Sequence, residues 1–309
     1  GPAEGAIWDF YPIQIYFTLT GDNGEDLLAP TTPGTYAGLN ITATYEDNTY
    51  EIDAFEGKKV PYGRAILAHL FGIYTTQLED GRYALCFGEL DGADTYKDAP
   101  LTLQWGDGTT DVITFSSKLK WKGHDPVINR SFKLNGTEVA KDTPRPIIDI
   151  KKSSLHGELD NKWNISPLKF YIFLSNKKNR DLLNTMVDGH IGLYDIKAIF
   201  QGKEYSLNNY PEEDKTNQTV FNGLTRYWHD QNNPTPHPIY FGELDGTETF
   251  ENEMLIMDWD TLGRDTITFT SKIEWINGKP TFIRRFSLNG EEVDKDTARP
   301  IIRIVKDIE

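Results

Sequence analysis

Cysteine is almost missing from this chain. Cys86 is the only one in 309 residues, so an intrachain disulfide, a cysteine-based zinc site and a thiol redox pair are all excluded. Its place just before Phe87-Gly88-Glu89 suits a small buried filler better than a reactive thiol. Long apolar runs are missing too: none approaches the roughly 18 residues of a membrane-spanning helix, and these residues contain no signal peptide. Basic residues are scarce relative to acidic ones, 32 against 47. The imbalance is shared along the chain, with 14 basic against 22 acidic in residues 1–154 and 18 against 25 in 155–309. A phosphate-backbone binder clusters Lys and Arg, so neither nucleic acid nor an anionic membrane surface suits this chain as a partner.

Chemical motifs are sparse as well. There is no Gly-x-Ser-x-Gly elbow, no Walker loop and no dinucleotide fingerprint, so no cofactor is expected. The six histidines are His69, His124, His156, His190, His229 and His237. None stands two or four residues from another, which leaves a zinc triad unsupported.

What the chain does have is a repeat. Phe87-Gly88-Glu89-Leu90-Asp91-Gly92 returns as Phe241-Gly242-Glu243-Leu244-Asp245-Gly246. At an offset of 154, residues 87–152 match 241–306 at 33 of 66 positions. Upstream the offset becomes 155, where Trp8, Pro12, Leu27-Leu28 and Tyr50 align with Trp163, Pro167, Leu182-Leu183 and Tyr205. The duplication therefore covers nearly the whole chain, and each copy of about 150 residues is the usual size for one hydrophobic core.

Period-two alternation dominates at matching places in both copies, so the expected elements are strands. Ile13, Ile15, Phe17 and Leu19 share one face of the first, answered by Leu168, Phe170, Ile172 and Leu174. Ile41, Ala43 and Tyr45, followed by Glu46-Asp47-Asn48, predict a hairpin that Ile196, Ala198 and Phe200 repeat. The clearest strand is 113–121, with Ile113, Phe115, Ser117, Leu119 and Trp121 on one face; 267–275 matches it. Asn135-Gly136 and Asn289-Gly290 then mark tight turns, because both residues accept positive φ. Many short strands at close spacing predict an all-β chain: two tandem, homologous, Ig-like β-sandwich domains born of an internal duplication. Their expected bounds are 7–152 and 162–307, joined by a linker over 153–161.

Glu89 with Asp91, and Glu243 with Asp245, have the look of paired catalytic carboxylates. Each pair sits where a strand enters an Asp-Gly turn with no recurring third group beside it, and the turn accounts for it. Asp22-Asn23-Gly24-Glu25-Asp26 has the oxygen density of a calcium loop. Its counterpart Asn176-Lys177-Lys178-Asn179-Arg180-Asp181 would repel a cation, so no metal site is expected.

Arg130 and Arg284 fall by alternation on the apolar face of their strands. An inward charge needs a partner, and the expected structural ion pairs are Arg130 with Glu89 or Asp111, and Arg284 with Glu243 or Asp265. The recurring tryptophans read as packing. Trp228 has no counterpart; it stands in Tyr227-Trp228-His229-Asp230-Gln231-Asn232-Asn233, where aromatic faces adjoin amides in the chemistry of a sugar-stacking platform. Tyr227, Trp228, His229 and Asn232 are thus the candidate ligand-binding residues. They belong to 208–239, which with 54–85 is where the two copies diverge most, and differing functions concentrate in divergent insertions on a shared frame.

The opening Ile7-Trp8-Asp9-Phe10-Tyr11-Pro12-Ile13, an alternating strand, Gly21-Asp22-Asn23-Gly24 and Asp26-Leu27-Leu28 together resemble the mature start of secreted lipoproteins of Bacteroides-type bacteria. The likeness covers the first thirty or so residues, with an echo at 163–183. It implies tandem β-sandwiches on the cell envelope, with no settled activity and no catalytic motif to carry over. It also implies a lipid-anchor cysteine upstream of Gly1, the one route by which this chain would meet a membrane. The resulting expectation is a non-enzymatic envelope protein, secreted or lipid-anchored, that binds a glycan or a protein at the cell surface. A carbohydrate-active enzyme or accessory with its site in 54–85 and 208–239, and a purely structural surface subunit, are the rival readings.

Overall fold

A computed structural model describes residues 1–5, 8–52, 68, 70–184, 189–191, 194–208, 221–226 and 238–309. The described residues of the first repeat form β1 (Ile13–Thr20), β2 (Thr42–Tyr45), β3 (Asn48–Glu51), β4 (Gly72–Gln77), β5 (Tyr83–Leu90), β6 (Tyr96–Gln104), β7 (Thr110–Lys122), β8 (Asp125–Leu134), β9 (Thr137–Lys141) and β10 (Ile147–Lys151). Those of the second form β11 (Leu168–Asn176), β12 (Lys197–Phe200), β13 (Lys203–Ser206), β14 (Leu224–Arg226), β15 (Ile239–Leu244), β16 (Phe250–Asp258), β17 (Arg264–Ile276), β18 (Lys279–Leu288), β19 (Glu291–Lys295) and β20 (Ile301–Lys306).

Each repeat builds one four-stranded and one six-stranded sheet. The smaller sheets run β10-β1-β5-β4 and β20-β11-β15-β14; the larger run β3-β2-β6-β7-β8-β9 and β13-β12-β16-β17-β18-β19. Strand for strand the two orders are the same, so the duplication read in the sequence is also a duplication of topology. Neighbours pair antiparallel except where the last strand of a repeat returns beside its first. There the pairing is parallel, with Tyr16 opposite Ile147 and Tyr171 opposite Ile301.

Local chemistry sets the hairpins. Glu46 and Asp47 (φ 47° and 63°) close β2–β3, and Gln201 and Gly202 (49° and 74°) close β12–β13. Asn135-Gly136 (47° and 89°) and Asn289-Gly290 (50° and 90°) close β8–β9 and β18–β19. Positive φ at both central residues gives a turn whose twist matches that of the strands it joins.

The core lies between the paired sheets. In the second repeat Phe170 and Phe241 of the small sheet meet Phe269 and Phe286 of the large one, with Phe170 and Phe269 ring centroids 5.0 Å apart. Tyr45 and Phe87 join the two sheets of the first repeat at 5.6 Å, as Phe200 and Phe241 do in the second at 5.5 Å. These are two β-sandwiches. Along β7, burial stops at Ser117, and the far half of this 13-residue strand, expected to share the core face, lies outside the core. Its Trp121 packs edge-on against Trp8, which is 43% exposed, while Trp163 stacks on Trp275, which is 41% exposed. Trp105 and Trp259 are wholly buried.

The backbone divides into two compact units, one of Gly1–Asn164 with Trp275–Thr281 and one of Ile165–Glu274 with Phe282–Glu309. Residues 153–161 carry no strand. Their start is held within the first unit: Ser153 accepts a hydrogen bond from the Tyr36 hydroxyl at 2.9 Å, and the buried Leu155 donates its N–H to Gly34 at 2.9 Å.

The Phe-Gly-Glu-Leu-Asp-Gly repeat is explained by backbone contact. A Cβ on Gly242 would stand 2.6 Å from the Leu168 carbonyl oxygen, and one on Gly88 2.9 Å from that of Ile13. A Cβ on Gly92 would overlap the Tyr11 carbonyl oxygen, and one on Gly246 that of Ser166. Only glycine lets these segments approach so closely.

Candidate functional site

Aspartates 111 and 265 each organise a cluster of recurring residues. The buried indole of Trp105 donates Nε1–H to Asp111 Oδ2 at 2.7 Å, the Asn135 amide donates to Oδ1 at 2.8 Å, and Lys152 Nζ lies 3.6 Å from Oδ2. In the second repeat Trp259 donates to Asp265 at 2.8 Å, Asn289 at 2.9 Å, and Lys306 Nζ approaches to 2.6 Å. Burial by itself raises the Asp265 pKa. Hydrogen bonds from Lys306 and Asn289, the attraction of Lys306 and the Trp259 N–H outweigh it and hold the carboxyl below its usual range. Each cluster ties a core tryptophan, the Asn-Gly turn and the end of the last strand to one carboxylate. A single signal could have found it: Trp, Asp, Asn and Lys all recur as identities at the same offset of 154.

The expected ion pairs of Arg130 and Arg284 do not form. Both side chains point inward as alternation requires, with Arg130 8% and Arg284 3% exposed. Their partners are backbone carbonyls: Arg130 Nη2 donates to Gly92 at 3.2 Å and Arg284 Nη2 to Ser166 at 3.5 Å. These carbonyls belong to the two sides of the same close approach, where Gly92 meets Tyr11 and Gly246 meets Ser166. Asp111 is out of reach: Arg130 stands opposite Ser117, and Asp111 lies six residues, roughly 20 Å, further along β7, where Trp, Asn and Lys hold it as they hold Asp265. Burial depresses both arginine pKa values, that of Arg284 to about 10. No carboxylate opposes that shift, and the Nε of each arginine has no hydrogen-bond partner.

Four of the other acidic candidates, Asp91, Asp245, Glu25 and Asp26, act in turns. Asp91 Oδ1 accepts the Ala93 N–H at 2.8 Å, and Asp245 Oδ1 accepts the Thr247 N–H at 2.8 Å. In the Asp22–Asp26 loop, Glu25 Oε1 accepts the Asn23 N–H at 2.6 Å and Asp26 Oδ1 the Leu28 N–H at 3.1 Å. Among the described residues no group of three or more His, Cys, Asp or Glu is placed to hold a metal ion.

Tyr227, Trp228, His229 and Asn232 lie outside the described residues, as do 54–67 and 69 in the first divergent segment and most of 208–239. What is described is the sheet from which those segments depart, and its outer face differs between the repeats. In the first, Cys86 lies opposite Tyr16 on one neighbour and Tyr74 on the other. The thiol is fully buried, and that burial pushes its pKa up to about 11, so it stays protonated. In the second, Tyr240 replaces it, packs edge-on against Tyr171 at 4.7 Å and carries Lys169 Nζ over its ring at 4.6 Å. At the end of β14, Arg226 Nη1 donates to the Leu183 carbonyl at 2.6 Å and so fixes the residue immediately before Tyr227.

Comparison with protein-family models, with curated proteins and with solved structures finds no significant match.

Proposed function

We propose that this chain is a non-enzymatic, glycan-binding protein of a bacterial cell envelope, with its ligand platform in the second repeat around Tyr227, Trp228, His229 and Asn232. The observation that carries the proposal is a division of labour. Polar residues that recur between repeats hold the frame: Asp111 and Asp265 hold the core tryptophans, Asp91 and Asp245 shape turns, and Arg130 and Arg284 clasp backbone. The longest stretches without recurrence are 54–85 and 208–239; Trp228 in the second has no counterpart, and beside them Cys86 faces Tyr240 across the alignment. An exposed indole beside amide groups stacks on the apolar face of a sugar while the amides satisfy its hydroxyls. Envelope location rests on the resemblance of the first thirty residues to secreted lipoproteins.

A glycan array probed with the native chain and with Trp228→Ala tests this. Binding that is lost in the variant supports the platform and locates it. A flat array for both proteins overturns the glycan reading and favours a protein ligand or a structural subunit.

A further inference from the structure

The guanidinium groups of Arg130 and Arg284 are buried with no carboxylate against them, that of Arg284 lying over the Phe282 ring at 5.3 Å. A buried cation is costly unless a charge or a full set of hydrogen bonds answers it. Here one carbonyl meets each Nη2, and Nε–H is left over in both copies. A second unanswered donor accompanies each. Ser117 lies directly opposite Arg130 across the β7–β8 ladder, and its hydroxyl is buried without a partner. Ser271, which aligns with Ser117 at the offset of 154 and lies on β17 beside β18, likewise has a buried hydroxyl without a partner. Opposed residues on one face of an antiparallel pair have Cβ atoms about 5 Å apart, so the hydroxyl and Nε–H are within reach of one shared atom.

The chemistry of that atom follows from its neighbours. Both leftover groups donate, and a full positive charge stands beside them. A water molecule would satisfy the donors but leave the charge, while a monovalent anion answers both. Enclosure at this depth favours a monatomic ion over an oxyanion. Asp111 serves Trp, Asn and Lys six residues along β7 from the serine opposite Arg130, too far for that arginine to reach, and Asp265 serves the same three residue types. The arrangement recurs although the flanking residues differ, Ser131 in one copy being Arg285 in the other. We propose that each repeat binds one halide ion, chloride under cellular conditions, between Arg130 and Ser117 and between Arg284 and Ser271.

Crystals of the full chain soaked in sodium bromide test the proposal directly. The expected result is two anomalous peaks per chain, each within hydrogen-bond reach of an arginine Nε and its serine Oγ. Oxygen-sized density without anomalous signal at both places, or no density, overturns it. In solution, thermal midpoints at constant ionic strength should rise as chloride replaces gluconate, by mass action on the folded state. The Ser117→Ala/Ser271→Ala double variant, a small change that leaves the arginines in place, should lose most of that rise. An equal response to chloride in both proteins would place the ion elsewhere and overturn the assignment.

Discussion

At the scale of single residues, burial and partners decide what each charge does. Asp265 is almost fully buried with three groups converging on it, and it is a clear electrostatic anchor among the described residues. Its folded pKa lies below the unfolded value of about 3.9, so the stability it supplies is complete above that pH and is lost as pH falls through the folded value. Asp265→Ala should cost about 3 kcal/mol, because Lys306 would be left without its buried partner. Asp265→Asn should flatten the acid limb of the stability curve, measured by urea unfolding between pH 5 and pH 3; an unchanged limb would refute the anchor role. Residue identity made some of this legible and hid the rest. Alternation along β8 and β18 correctly turned Arg130 and Arg284 inward, yet alternation specifies a face and is silent about who occupies the neighbouring space. Asp111, one of the expected carboxylates, stands six residues along β7 from the serine opposite Arg130 and is held by an indole and by a lysine at the far end of the repeat.

Elements were more legible than contacts. The Asn-Gly turns at 135–136 and 289–290 have the positive φ their residues suggest, and the turns at 46–47 and 201–202 adopt it as well, at Glu46 and Gln201 against the usual preference. The parallel return of β10 beside β1 was not legible, because its register is set by residues some 130 positions apart and leaves no local trace. Nor was the length of the β7–β8 ladder: the period-two pattern runs to Trp121, but the core ends at Ser117. The Phe-Gly-Glu-Leu-Asp-Gly element was visible as a repeat and became intelligible only with the carbonyls of Tyr11 and Ser166 packed against its last glycine. Gly246→Ala should therefore destabilise by roughly 1–3 kcal/mol through forced displacement of backbone. Gly290→Ala, where a Cβ meets nothing but φ is 90°, should also cost stability, through conformation alone. Chemical denaturation of the two variants separates these origins: a second substitution that gives space around Ser166 should rescue only the first.

Across the whole molecule, formal charge is −15, and both halves contribute. The chain should pass unretained through a heparin column at low ionic strength, and retention there would expose a basic patch that composition conceals. The class of fold and its duplication were readable from sequence because strand period and offset are properties of the chain itself. Function was not: the candidate residues at 227–232 belong to the part of the second repeat that has no echo in the first, so the internal comparison that explains the frame has nothing to say about them. That comparison has a practical use. Because the same ten-strand order and the same Trp–Asp–Asn–Lys cluster occur twice, the chain carries its own internal standard. A lesion placed in one copy can be read against the untouched copy in the same tube, at the same pH and salt, free of the batch differences that blur comparisons between separate proteins.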